Sequence, residues 1–213
     1  MSTPVKTENA LDVFISTARD LFSRESDPER RWEQLSPILS DLLADPDVIA
    51  ASKNWPECVP RDGRAENLIF YEDPDYGFAV NGLTKGEGRI AWERSQTSRH
   101  LHDHAHIYTL YGVLDGHERI ERADRIDDGS RPDYAEIRRT ADRYVSPGEI
   151  DLVRPYEIHR EVSVGERAVA IIIRSQKSGG FMQGRYDPET NRYWEGLGPR
   201  QTPCEMLPGT EAH

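Results

Sequence analysis

The stretch His100-Leu-His-Asp-His-Ala-His-Ile-Tyr108 carries histidines at positions 100, 102, 104 and 106. Five of the chain's seven histidines fall between residues 100 and 117. Successive side chains of a β-strand point to opposite faces, so a strand here predicts all four imidazoles on one face. Neutral imidazole is the commonest protein ligand for zinc, copper, iron and nickel. A lone histidine reads as structural. A same-face His-X-His pair reads as a metal clip that still needs a third ligand.

Around this stretch the texture is that of a β protein. Short apolar runs at 68–71, 77–80, 107–114, 150–153 and 168–173 alternate with turn-rich segments such as Glu72-Asp-Pro-Asp75 and Ser146-Pro-Gly148. That rhythm predicts an antiparallel sandwich or barrel. The N-terminal part reads differently. Leu11, Phe14, Ala18, Leu21 and Phe22 form one helical stripe, and Trp32, Leu35, Leu39 and Leu42 a second. Asp27-Pro28 reads as an N-cap followed by proline in the first turn. Ser36-Pro37 is expected to kink or restart the second helix, and Asp45-Pro46 to end it. The expected organisation is one structural domain: a helical extension over 1–51, a linker over 52–66, a barrel over 67–183 and a polar wrapping tail over 184–213.

Composition narrows the function classes. The 213 residues suffice for one domain with a proper core, and 36% hydrophobic against 31% charged residues describes a soluble protein. The net charge of −11 argues against a nucleic-acid backbone or an anionic membrane as partner. No apolar run is long enough to span a bilayer. The N-terminal residues lack the apolar core of a signal peptide, so a cytoplasmic location is expected. Cys58 and Cys204 are far apart and are expected to be free thiols.

A second segment supplies the third ligand. Pro147-Gly-Glu-Ile-Asp-Leu-Val-Arg-Pro155-Tyr-Glu-Ile-His159 reads as turn, strand, turn and the opening of a further strand. It resembles the second motif of the cupin superfamily, in which the terminal histidine ligates metal. His102-Asp-His104, followed twelve residues later by Gly116, resembles the first motif. The family's usual glutamate ligand would fall at Thr109, which cannot serve as an anionic ligand, and reaching it from His104 changes strand parity, so a bend is expected between them.

Three histidines without a carboxylate resemble the cysteine dioxygenase and 3-mercaptopropionate dioxygenase type of cupin. Asn67-Leu68, Gly86-Glu87-Gly88 and Tyr186-Asp-Pro-Glu-Thr-Asn191 also have counterparts there. The resemblance covers most of residues 8–195, although only the metal motifs are specific. It implies a mainly β fold, the cupin double-stranded β-helix or jelly-roll barrel, with the helices as an N-terminal extension. It implies Fe(II) on His102, His104 and His159, with dioxygen as co-substrate. Imidazole chemistry alone leaves zinc, nickel, manganese and copper open. Three neutral ligands keep the full charge on a divalent metal, which favours an anionic substrate group. Asp103 is expected to face away from the metal. His100, His106, His117 and His213 are not assigned to it; His117 is expected in a turn.

The chain departs from that family where substrate is chosen. Aligned on Asn67-Leu68, Glu66 stands where the family's carboxylate-binding arginine is expected; Arg64 lies two residues away. The serine, histidine and tyrosine that form a relay in the family correspond to Ala170, Ile172 and Arg174. Thr109 also stands where some members carry the cysteine linked to that tyrosine, so no such link can form. Weak or absent turnover of cysteine is expected. Three readings of Arg174 stand: an anchor for a substrate anion, an ion pair with Glu66 across the pocket wall, or a strand-end residue facing solvent. Arg174 and Glu66 are the candidate catalytic residues. The expected protein is a non-haem iron oxygenase acting on a small molecule, as monomer or homodimer. The alternatives are a metal-dependent lyase or isomerase and a non-catalytic small-molecule-binding cupin.

Overall fold

The computed structural model describes residues 8–86 and 100–210. Glu87 and Gly88 of the glycine-containing segment, and His213, therefore lie outside the described residues. Helix α1 spans Ala10–Arg24, and the Asn9 side chain caps it by accepting from Asp12 N at 3.0 Å. Helix α2 spans Pro28–Ala44; Asp27 caps it, accepting from Arg30 N at 2.9 Å. Both predicted stripes are buried. Pro37 neither kinks α2 apart nor restarts it. The carbonyl that loses its partner belongs to Glu33, which is exposed, so water can replace the missing bond. Asp45 then caps a third helix, α3, over Pro46–Ser52. Among the described residues no helix is long and apolar enough to cross a membrane.

Ten strands follow: β1 (Glu66–Glu72), β2 (Ala79–Lys85), β3 (Leu101–His102), β4 (Thr109–Arg125), β5 (Ile137–Val145), β6 (Ile150–Val153), β7 (Ile158–Arg174), β8 (Met182–Asp187), β9 (Arg192–Leu197) and β10 (Arg200–Pro203). They form one mixed sheet in the path β10-β1-β2-β7-β3-β8-β9; β4 pairs with β5, β6 and β7, and among the described residues only the β1–β10 pair is parallel. The segment after Gly184 enters this sheet as strands.

The long antiparallel pair β4–β7 is the spine. It runs from Thr109↔Arg174 to Ala123↔Ile158, with register shifts between Val113, Asp115 and His117. Gly116 sits in that irregularity at φ 76°, and a Cβ there would lie 2.2 Å from the Arg167 carbonyl oxygen. His117 is therefore a strand residue rather than a turn residue. Bulges bend and twist a strand. The bent spine lets one edge of β7 pair with β2 along residues 168–174 and with β3 at His159. The sheet curls, and both ends of β7 reach one pocket.

The helices cover the outside of this curl. Trp32 stacks on Tyr108 with ring centroids 5.9 Å apart and planes 4° from parallel. Leu39 and Leu43 press against Gly112 of β4 so closely that a Cβ would meet Leu43 Cδ1 at 2.7 Å. The architecture is mainly β, a curled mixed sheet with an N-terminal helical region.

Candidate metal centre

The histidine stretch is not one extended strand. β3 ends at His102, and Ala105 takes a left-handed conformation at φ 52°. Asp103 causes the bend: its Oδ1 accepts from Ala105 N at 2.8 Å and from Gly184 N at 3.0 Å, and its Oδ2 accepts from the Tyr186 hydroxyl at 2.8 Å. An aspartate that bonds backbone two residues on replaces the strand ladder with a turn. The four imidazoles consequently do not share a face. His106 is exposed, against Phe181 and 3.0 Å from Gln176 Oε1. The His100 ring packs edge-on to Trp194.

His102 and His104 turn toward His159, which is paired with His102 across β3 and β7. Nε2 of His104 lies 3.2 Å from Nε2 of His102 and 3.3 Å from Nε2 of His159. With metal–nitrogen bonds of about 2.0–2.1 Å, two ligand nitrogens stand roughly 3.0 Å apart at a right angle and roughly 3.4 Å apart at a tetrahedral one. The observed spacings fall between. Three ring nitrogens gathered around one point suit a cation between them, so the residues fit a bound metal. They are also the one His/Cys/Asp/Glu group with that potential among the described residues. Burial, then the neighbouring imidazoles and Arg174 and Arg185, hold His102 and His104 well below the usual imidazole pKa. They are neutral at physiological pH, as ligands must be. Glu161 Oε1 lies 3.3 Å from His159 Nδ1, close but off the line of a hydrogen bond.

The cluster opens into a cavity of about 70 Å³, whose walls include Asn67, Thr109, Tyr111, Glu161, Ile172, Arg174, Gln183 and Arg185. Arg174 is buried. It donates from Nη1 to Asn81 Oδ1 at 2.7 Å and from Nη2 to Asn67 Oδ1 at 3.0 Å, while Nε has no partner. The ion pair with Glu66 is not formed. Strand alternation explains this: Asn67 faces the pocket, so Glu66 faces away, accepting from Thr202 Oγ1 at 2.6 Å and lying 3.3 Å from Arg61 Nε. Glu66 does not line the cavity, so its charge is not opposed to a bound substrate across the wall. Arg64 binds the Gly198 carbonyl. Thr109 lines the pocket with an unpartnered hydroxyl. Ile172 is apolar wall, and Ala170 is buried in the core.

Sequence reasoning missed Arg185, Gln183, Glu161 and Tyr111. Glu161 and Tyr111 had a signal: each shares strand parity with a residue already singled out, His159 and Thr109 respectively. Arg185 and Gln183 had none, because a polar tail gives no sign of which strand it joins. The Tyr111 hydroxyl donates to Glu118 at 3.1 Å, and Glu118 is in turn paired with Lys85 at 3.2 Å. Burial raises the Tyr111 pKa, so the phenol stays protonated. Burial lowers the Arg174 and Arg185 guanidiniums to about 10, still charged at neutral pH.

The fold and the site together define a mainly β protein whose curled sheet carries a three-histidine candidate metal centre beside two buried arginines. No family model and no curated protein matches this chain. Solved structures similar to it include cupin proteins. The cupin domain of Schizosaccharomyces pombe Cnp3 is 7% identical at a TM-score of 0.34, covering 52% of this chain and 64% of that one. Oxalate oxidase in complex with the substrate analogue glycolate is 17% identical at 0.36, covering 52% and 49%. A conserved protein with a double-stranded β-helix domain from Klebsiella pneumoniae is 12% identical at 0.34, covering 65% and 90%. This chain thus spans less than two thirds of the first two.

Proposed function

We propose that this protein is a cupin-type, metal-dependent oxygenase that uses Fe(II) on His102, His104 and His159 to oxidise a small anionic substrate with dioxygen. The observation that supports it most is the convergence of three imidazole Nε2 atoms beside the buried, carboxylate-free Arg174. When bound, the metal would supply the site for dioxygen chemistry, which the side chains lack. The chain's own part is to bind, orient and exclude water. Arg174 is held by two asparagine carbonyl oxygens, one on each terminal nitrogen, which leaves three of its five N–H donors without a protein partner. A guanidinium fixed in this way presents a planar fork suited to a carboxylate. Ile172 and Leu83 keep part of the wall dry, which strengthens that charge interaction. A thiol substrate, with a sulfinate product, is the default of the family the motifs resemble; a non-thiol anion fits the absence of the serine–histidine–tyrosine relay.

The deciding experiment measures metal content of the purified protein, then dioxygen uptake against thiol and non-thiol acids. Metal-dependent uptake with one acid supports the reading. Turnover that proceeds without dioxygen in zinc- or nickel-loaded protein would replace it with Lewis-acid lyase or isomerase chemistry, and binding without turnover would replace it with a small-molecule-binding role. In Arg174→Ala, catalysis should fall by roughly thirty-fold to several thousand-fold at unchanged metal content, since a buried charged hydrogen bond is worth about 2–5 kcal/mol. Arg174→Lys should recover little.

A further inference from the structure

The pocket holds a second buried cation that the reading above does not use. Arg185, on β8, is buried and lines the same cavity as Arg174 on β7. Its donors go to neutral acceptors, Gln183 Oε1 at 3.2 Å and the Leu197 carbonyl at 3.3 Å. Neither arginine forms an ion pair among the described residues; the carboxylates that act on them, Glu161 on Arg174 and Asp103 on Arg185, do so through space. Asp103 is already committed to three donors. Gln183, itself buried, keeps its amide Nε2 without a partner and lines the cavity.

Burying a guanidinium without a counter-ion is costly, and an unpaired buried donor adds to the cost. Two such cations in the wall of one small cavity, whose lining residues also include three buried polar atoms without a partner (Arg174 Nε, Gln183 Nε2 and Thr109 Oγ1), point to an anion with two charged ends. The charges agree. A bound divalent metal and the two arginines would be set against Glu161 in the cavity wall and Asp103, which acts on Arg185 from outside it, leaving about two positive charges in excess. A monoanion leaves one of them unmatched.

We propose that the substrate is a small dianion of the dicarboxylate class, one carboxylate held by Arg174 and the other by Arg185 with the Gln183 amide. The proposal rests on the metal-site reading. Arg185 is thereby a specificity-determining residue. Its guanidinium and the Gln183 amide select the second charge, as Arg174 selects the first.

The test is calorimetric binding to anaerobic, Fe(II)-loaded protein, with malonate, succinate and glutarate as dianions and acetate, propionate and butyrate as monoanions. At least one diacid should bind at least about thirty-fold more tightly than its monoacid counterpart. Arg185→Gln should bring that diacid down to the monoacid affinity while monoacid affinity stays the same. Gln183→Leu, which removes the unpaired amide nitrogen together with one of the two acceptors that hold Arg185 but keeps the guanidinium charge, should weaken the diacid alone and by less. Circular dichroism and metal content identify a misfolded variant; if Arg185→Gln misfolds, Gln183→Leu carries the test. Equal affinity for diacids and monoacids in the wild type, or diacid binding unaffected in the folded variants, overturns the proposal. Failure of the parent reading looks different: it shows as absent metal, or as monoacid affinity unchanged in Arg174→Ala.

Discussion

At the scale of single residues, the centre depends on Asp103 as much as on the histidines. Its carboxylate bends the chain after β3, so that His102 and His104 face His159 instead of lying along a strand. His159→Ala should lose most bound metal, because two ligands remain where there were three; full metal retention by elemental analysis would remove His159 from the site. Asp103→Ala should also weaken metal binding, by roughly 10–100-fold, through ligand misplacement. A metal titration of that variant checks it, and wild-type affinity would show that the turn forms without the carboxylate. Cys58 offers a pH test away from the site. Burial pushes its thiol up to about 11. The unfolded chain ionises first, near the ordinary thiol value, so stability should fall as pH rises from about 9 to 11, by about 2–3 kcal/mol. Denaturant titrations of wild type and Cys58→Ala across that range should differ in slope; parallel curves would refute it.

At the scale of elements, the β4–β7 spine and the helices that cover it share the burden of shaping the pocket. Gly116 must be left-handed and must lie against the Arg167 carbonyl. Gly116→Ala should therefore cost about 2–4 kcal/mol and disturb the curl that brings His159 and Arg174 together. A lowered denaturant midpoint together with weaker metal binding is expected; an unchanged midpoint would mean that the bulge relaxes freely. The same glycine was visible as a motif position, but its role as the bend of the spine was not. Pro37 shows the opposite case. The local rule predicts a broken helix, yet the burial of Trp32, Leu35, Leu39, Leu42 and Leu43 along one face holds α2 intact through it.

At the scale of the whole molecule, fold and site are coupled. The three candidate ligands come from β3, the turn after it and β7, so a metal that joined them would bind the folded chain and not the unfolded one. Metal at a hundredfold excess over its dissociation constant should stabilise the fold by about 2.7 kcal/mol. The thermal midpoint should rise on metal addition, fall on chelation, and be insensitive to both in His159→Ala. A midpoint that ignores metal in the wild type would separate the histidine cluster from any metal role.

The sequence by itself determined the fold class and pointed to the three histidines that the structure brings together. Turn-punctuated apolar runs mark short strands wherever they pack, apolar stripes mark helices, and two segments that resemble the motifs of a known family point to His102, His104 and His159 among seven histidines. Those signals are local, so they survive without knowledge of what lies across the sheet. Only the tertiary structure decided the pocket. It turned Glu66 outward and Asn67 inward, gave Arg174 two asparagines in place of a carboxylate, and brought Arg185 in from the polar segment after Gly184. The physical reason is that burial of a charge is a property of the surroundings. An arginine in a sequence reads as solvated until strands distant in the chain close around it.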